Sequence, residues 1–273
     1  MTDLVTVNIA EGIADIRFNR PDKHNSLTLE MFDAINAAAS VLEGNPAVRV
    51  AVLSGNGPSF CAGLDFSIMA QMMKGPAEAR LVTERLLARD GRPENSAQRA
   101  AMAWKNTAVP VIAALHGVAF GGGCQIALGA DLRIAAPDTR LSVMEIKYGL
   151  VPDMGLTQTL PGLVRLDIAK ELTLTGRIVD AEEALQLGLV TRICADPVAV
   201  ALDIARSIAG RAPSAVRAAK RLLNEAWRAD ATTGLALEEA LQRTLLGSPD
   251  QVEAVTASMH KRDPQFATAG GGA

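Results

Sequence analysis

The run "VRVAVLSG", Val48 to Gly55, constrains the fold more than any other stretch. Read as a strand, it carries apolar residues on both faces, so both faces must be covered. Around it, short strand signals alternate with amphipathic helices. Val5, Val7 and Ile9 share one face, Glu11-Gly12 makes a turn, and Ala14, Ile16 and Phe18 share the next face, which is a hairpin. A helix is expected to begin at Thr28 as cap, with Glu30 in its first turn, to bury Met31, Ile35, Ala38 and Leu42, and to stop at Gly44-Asn45-Pro46. Further strands are expected at Pro110 to Gly117, Asp131 to Ala136 and Arg140 to Met144. Strand and helix alternate throughout, and the fold class is α/β.

From Asp196 onward strand signals vanish. "SAVRAAKRLLNEAW", "TGLALEEALQRTLL" and "DQVEAVTASMHKR" read as three consecutive amphipathic helices. Residues 1–195 are therefore expected to form the α/β core and 196–273 a helical assembly region. Just before the boundary, "DAEEALQLGLV" has Asp180 as cap, Glu183 in the capping-box position and Gly188 as the stop. The terminal "ATAGGGA" is expected to be disordered.

Of the 273 residues 49% are hydrophobic, ample for one large core, and the net charge of −3 provides no basic field for nucleic acid. Three widely spaced cysteines (Cys61, Cys124, Cys194), with no apolar leader in Met1 to Val7, fit a reducing cytoplasm. The most apolar stretch, Val109 to Phe120, is too short to span a bilayer. The expected partner is a small molecule.

Two glycine-containing segments carry the chemistry. "SFCAGLDF", Ser59 to Phe66, and "FGGGCQ", Phe120 to Gln125, each follow a strand and present unhindered backbone N–H groups. Such segments serve tight turns and close helix contacts; two N–H donors converging on one point also stabilise negative charge on a carbonyl oxygen. Gly121-Gly122-Gly123 lacks the G-x-G-x-x-G spacing of a dinucleotide fingerprint. Gln125, opening the helix beyond the glycines, can position a water or a carbonyl but cannot hold and release a proton.

The order "NRPDKHNSL", "SFCAGLDF", "PVIAALHGVAFGGGCQIALGADLRIAA", "LSVMEIKYGLVPDMG", "LTGRIVDAEEALQLGLV" and "HKRDPQF" resembles the enoyl-CoA hydratase/isomerase (crotonase) superfamily over nearly the whole chain. The resemblance implies a spiral of β-β-α units, C-terminal helices that build a homotrimer or a hexamer of paired trimers, and an acyl-CoA thioester as substrate. It implies no cofactor beyond the coenzyme A of the substrate, and no metal. The N–H groups of Leu64 and Gly122 would hold the thioester carbonyl. Hydratases of the superfamily have glutamates at the positions matching Gln125 and Glu145; this chain keeps only Glu145. Dienoyl-CoA isomerases have an aspartate eight residues beyond the matching glutamate, as Asp153 follows Glu145 here. Glu145 is thus the expected base, assisted by Asp153, and double-bond isomerisation is favoured over hydration to a 3-hydroxyacyl-CoA or mere acyl-CoA carriage.

For the rest of the substrate, Lys23 and Lys261 or Arg262 are expected at the CoA phosphates by motif position. Gln125 is expected to hydrogen-bond backbone or contact substrate, and Asp65 to fix the "CAGLD" loop beside it. "SIMAQMM" is expected to form a core helix or a wall for the acyl chain. His24, His116 and His260 have no metal-ligand spacing.

Overall fold

The computed structural model describes residues 3–267, so the expected disordered end lies outside the described residues except for Ala267. The first half runs β1 (Val5–Ala10), β2 (Ile13–Phe18), α1 (Leu29–Ser40), β3 (Val50–Gly55), α2 (Phe66–Met72), α3 (Pro76–Leu86), α4 (Ser96–Asn106), β4 (Val111–Leu115), β5 (Val118–Phe120) and α5 (Gly122–Gly129). The second runs β6 (Leu132–Ala135), β7 (Arg140–Ser142), α6 (Leu156–Thr159), α7 (Leu166–Thr175), β8 (Val179–Asp180), α8 (Ala181–Leu187), β9 (Arg192–Ile193), α9 (Pro197–Ala209), α10 (Pro213–Ala226), α11 (Ala231–Leu245) and α12 (Pro249–Met259).

β1 and β2 form the expected hairpin, with Glu11 and Gly12 both at positive φ, the geometry that matches strand twist across a two-residue turn. The main sheet then adds parallel strands in the order β1-β2-β3-β4-β6-β9. β3 is covered on both faces, as its composition demands. Ala51 and Leu53 enter the larger core with Val111, Ala113 and Leu115 of β4, whereas Val50 and Val52 enter a second core with Ile112 and Ala114. This period-2 split separates two layers of helix. α1, α4 and α5 fill the first side.

The second side is covered by α9, a helix absent from the three expected after Asp196. Ala201, Ala205 and Ala209, spaced by four, let it lie close on the sheet. The core therefore extends past residue 195 to at least Ala209. The remaining C-terminal helices match the three expected segments closely.

The strand expected at Pro110 to Gly117 is β4; no strand was expected at Val118–Phe120, where the chain turns at Gly117 and β5 joins a separate sheet, β5-β7-β8. Caps follow the sequence: Thr28 accepts from Met31 N, and Asp180 accepts from Glu183 N at 2.9 Å. Glu183 does not complete a capping box, because its carboxylate pairs with Arg177 at 2.6 Å.

α10 is tied to the core by a buried ammonium. Lys220 Nζ pairs with Asp131 Oδ2 at 2.8 Å and donates to the carbonyls of Trp104 and Val109. Asp131 also accepts from Val111 N, so one carboxylate joins β4, β6 and α10. Removing one partner of such a pair strands the other. Lys220→Met is expected to lower stability by about 3 kcal/mol, read as a fall in denaturant or thermal midpoint; an unchanged midpoint would show that the pair does not anchor α10.

Candidate active site

Two loops meet where the sheets adjoin. After β3 the chain crosses to β5 through a parallel bridge between Cys61 and Ala119, with Cys61 N donating to Val118 O and Phe120 N to Cys61 O, both at 3.0 Å. Leu64 and Gly122 each stand three residues beyond that bridge, so the paired chains carry both N–H groups forward together. Neither N–H has an acceptor among the described residues, and both residues line one cavity. Gly122 is the first residue of α5, where helix geometry leaves N–H groups unsatisfied.

The glycine run is required locally. Gly121 has φ +51, and Gly123 lies so close to the Cys61 carbonyl that any Cβ would collide with it. Gly121 also leaves room for Glu145: a Cβ there would stand 3.4 Å from Glu145 Oε1. The Gly121 N–H donates to Ser142 O at 2.8 Å, holding the start of α5 against the end of β7, from which Glu145 follows.

Gln125, fully buried, is held at both ends. Its Oε1 accepts from Met154 N at 2.9 Å, and its Nε2 donates to Glu145 Oε1 at 2.6 Å. The Met154 N–H can only donate, so the amide orientation is determined: oxygen toward Met154, NH₂ toward Glu145. Glu145 Oε1 must therefore accept. Oε2 is buried and has no hydrogen-bond partner among the described residues, which leaves it as the atom able to take a proton. Gln125 does not line the cavity. The expected substrate contact is corrected to a position behind Glu145, because both ends of the amide are already engaged.

The cavity, about 270 Å³, is lined by Leu27, Leu64, Met69, Met72, Leu86 and Met154 among other apolar groups, and its only carboxylates among the described residues are Glu145 and Asp153. Met69 and Met72 place "SIMAQMM" in the wall, although Ile68 turns into the protein. Burial drives the Glu145 pKa upward; hydrogen bonds from its own backbone and Gln125 oppose this, and the nearby Asp153 charge adds to it. Burial also raises the Asp153 pKa, opposed by a hydrogen bond from its own backbone.

Asp65 does not line the cavity. It caps α2 through Ser67 N, accepts from Ser26 Oγ at 2.7 Å and pairs with Arg20 at 2.5 Å. Its N–H donates to Leu27 O, so it pins the loop at the residue after Leu64. Burial acts to raise its pKa, but hydrogen bonds from Ser67, Arg20 and Ser26 outweigh it and hold the carboxyl well below the usual range.

Lys23 is exposed in a 3-10 turn whose next residue, His24, accepts from Ala62 N beside the cavity. Lys261 is not brought there. The segment after α12 runs to Phe266, whose carbonyl binds Arg49 at the N-terminal end of β3, opposite the end that leads to Leu64. Arg262 is paired with Glu253 at 2.6 Å. Sequence reasoning missed Arg20, which lies inside the quoted "NRPDKHNSL". It also missed the exposed edge-to-face pair Phe66 and Tyr148, and Leu86 at the end of α3, which carries no local signal.

Residues 8–269 match the family model described as enoyl-CoA hydratase/isomerase. A peroxisomal Delta(3,5)-Delta(2,4)-dienoyl-CoA isomerase of Arabidopsis thaliana is 34% identical over 97% of this chain and 96% of its own. A mitochondrial methylglutaconyl-CoA hydratase of Rattus norvegicus is 31% identical over 93% of this chain and 79% of its own. Among solved structures, an enoyl-CoA hydratase from Bacillus anthracis superposes with TM-score 0.86 at 31% identity, covering 96% of this chain and 98% of that one.

The Asp65 network yields a stability test. A depressed carboxyl stabilises the fold above its unfolded pKa, and that contribution is lost as pH falls toward the folded value. Asp65→Asn is expected to lower the thermal midpoint at neutral pH, with the gap to the unaltered chain narrowing below about pH 4. A gap independent of pH would assign the loss to packing instead.

Proposed function

The chain belongs to the enoyl-CoA hydratase/isomerase family, and from that premise we propose that it shifts a carbon–carbon double bond along an unsaturated acyl-CoA. The observation that carries this reading is the engagement of Glu145 by Gln125, which leaves the second carboxylate oxygen without a partner among the described residues, in a side chain that lines the same cavity as Asp153.

The thioester oxygen sits between the N–H groups of Leu64 and Gly122. A proton beside a thioester is too weak an acid for a side-chain base in water, so the enolate must be stabilised as it forms. Glu145 Oε2 takes the proton from one acyl carbon, and Asp153, carrying a proton, gives it to another. The double bond moves and the mass is unchanged. Raised pKa values suit both steps, since a carboxyl that holds protons less weakly is a stronger base when ionised and is present as the acid when not. The apolar, methionine-containing wall takes the acyl chain, and Lys23 meets the CoA phosphates. Lys261 fits that role only at the cavity of another copy of the chain. Self-association into a trimer, or two trimers, fits α11, in which no residue is buried and Leu235 is exposed. The three free cysteines suit the cytoplasmic setting expected from sequence. No helix among the described residues is long and apolar enough to cross a membrane.

Hydration is the second reading, favoured by the similarity to hydratases. It needs a water held by groups that can exchange its proton. Gln125 cannot accept that proton, and its NH₂ is already directed at Glu145. A panel of unsaturated acyl-CoAs examined by mass and NMR separates the two: isomers of unchanged mass are expected, and a product heavier by one water would overturn the proposal. In Glu145→Gln, turnover is expected to fall by about 10² to 10⁴ with acyl-CoA affinity little changed.

Leu64→Pro, which removes the N–H, is expected to cost about 10² to 10³ in kcat, whereas Leu64→Ala keeps most activity; circular dichroism controls for folding. Equal rates in two folded variants would place the carbonyl site elsewhere. The acidic limb of the kcat/KM profile is expected above the ordinary glutamate range. Because the Asp153 charge helps raise Glu145, Asp153→Asn is expected to move that limb to lower pH as it slows turnover. A limb that stays in place would show that another group sets it.

A further inference from the structure

Asp153 borders more than the substrate cavity. A second groove, about 510 Å³, opens between α4 and the turn leading into α6. Gln98, Met102 and Asn106, four residues apart, present one face of α4 to it, and Thr157 and Gln158 line it from α6. Asp153 lies in the walls of both spaces and is open to solvent. Glu145 lines only the first, and its Oε2 is shut off from water.

The linings differ in character. The first cavity suits hydrocarbon; the second, though it includes Met102 and Leu156, also carries Gln98, Asn106, Thr157, Gln158 and a further carboxylate, Glu94, polar groups with which water can hydrogen-bond. An acyl chain filling the first cavity covers Glu145 together with only one side of Asp153. The other side stays in contact with the groove.

Building on the isomerisation reading, we infer that the second groove is a water-filled proton inlet that serves Asp153 while substrate is bound. In each turnover the C–H electron pair of one acyl carbon enters the enolate as its proton passes to Glu145 Oε2. The enolate electrons then take the proton of the Asp153 carboxyl at another carbon. Asp153, now a carboxylate, takes a proton from the groove water, and Glu145 releases its own to solvent once the product leaves. No electrons are exchanged with any other reactant. The hydrogen gained by the product therefore comes from solvent, and the hydrogen lost by the substrate goes to it.

The first test needs no turnover. The full chain, alone or saturated with a saturated acyl-CoA, is treated with carbodiimide and glycinamide, and labelling of each carboxylate is read by mass spectrometry. Asp153, open to solvent, is expected to label in the free protein and to keep labelling with acyl-CoA bound, whereas Glu145, with Oε2 buried and Oε1 engaged by Gln125, is expected to label little in either state. Thr157→Trp, which fills the groove from α6 and replaces no residue of the cavity lining, is expected to slow Asp153 labelling several-fold at unchanged acyl-CoA affinity. Protection of Asp153 by acyl-CoA would overturn the inlet, whatever reaction the protein performs. The second test runs the reaction in D₂O, where roughly one solvent deuteron is expected in each isomerised product from the first turnover. Isomerisation without solvent deuterium would overturn the inlet while leaving the isomerisation reading intact. Failure of every unsaturated acyl-CoA to isomerise would overturn that reading, and the labelling result would still decide whether the groove admits water to Asp153.

Discussion

The bridge between Cys61 and Ala119 is the constraint on which the site depends. It fastens the loop after β3 to the strand that enters α5, two segments that belong to different sheets. Because both chains leave it in parallel, two N–H groups remote in sequence arrive together without a side chain to direct them. Backbone donors add no titratable group and need no reorganisation as charge develops. Gly123 permits the close approach, and the Asp65 network keeps the first loop from drifting away from the second. Beyond the bridge, α4 packs on α5, the helix that the second chain enters.

A second constraint acts on the acid–base groups. Gln125 is an amide where a carboxylate would meet Glu145 Oε1 at 2.6 Å with like charge. The amide donates instead, fixes the orientation of Glu145 and leaves Oε2 without a partner among the described residues. Through Met154 N it also attaches the segment carrying Asp153 to α5. One neutral side chain therefore sets the geometry of both carboxylates. A glutamine that is inert as an acid or base is, in this placement, the group that determines which oxygen of its neighbour is available.

Much of this was written in the sequence. The doubly apolar β3, the Glu11-Gly12 turn, the Thr28 and Asp180 caps and the helices after Ala209 follow from side-chain periodicity and local hydrogen bonding, which operate within a few residues. The motif order placed Leu64, Gly122, Glu145 and Asp153 at one site, and the structure brings all four to one cavity. What lay beyond the sequence depends on contacts between distant segments. The separation of β5 from β4 is a choice between two sheets, and the close packing of the α9 alanines has meaning only once a sheet lies beneath them. The role of Gln125 was likewise undecided, because a local pattern shows that an amide is present but not which two groups it will join. Lys261 was placed by motif position, yet its segment packs at the far end of β3. Sequence alone determined the elements and the chemical inventory of the site. Tertiary structure decided which oxygen of Glu145 is free and which spaces Asp153 borders, since both depend on long-range packing that no stretch of chain encodes by itself.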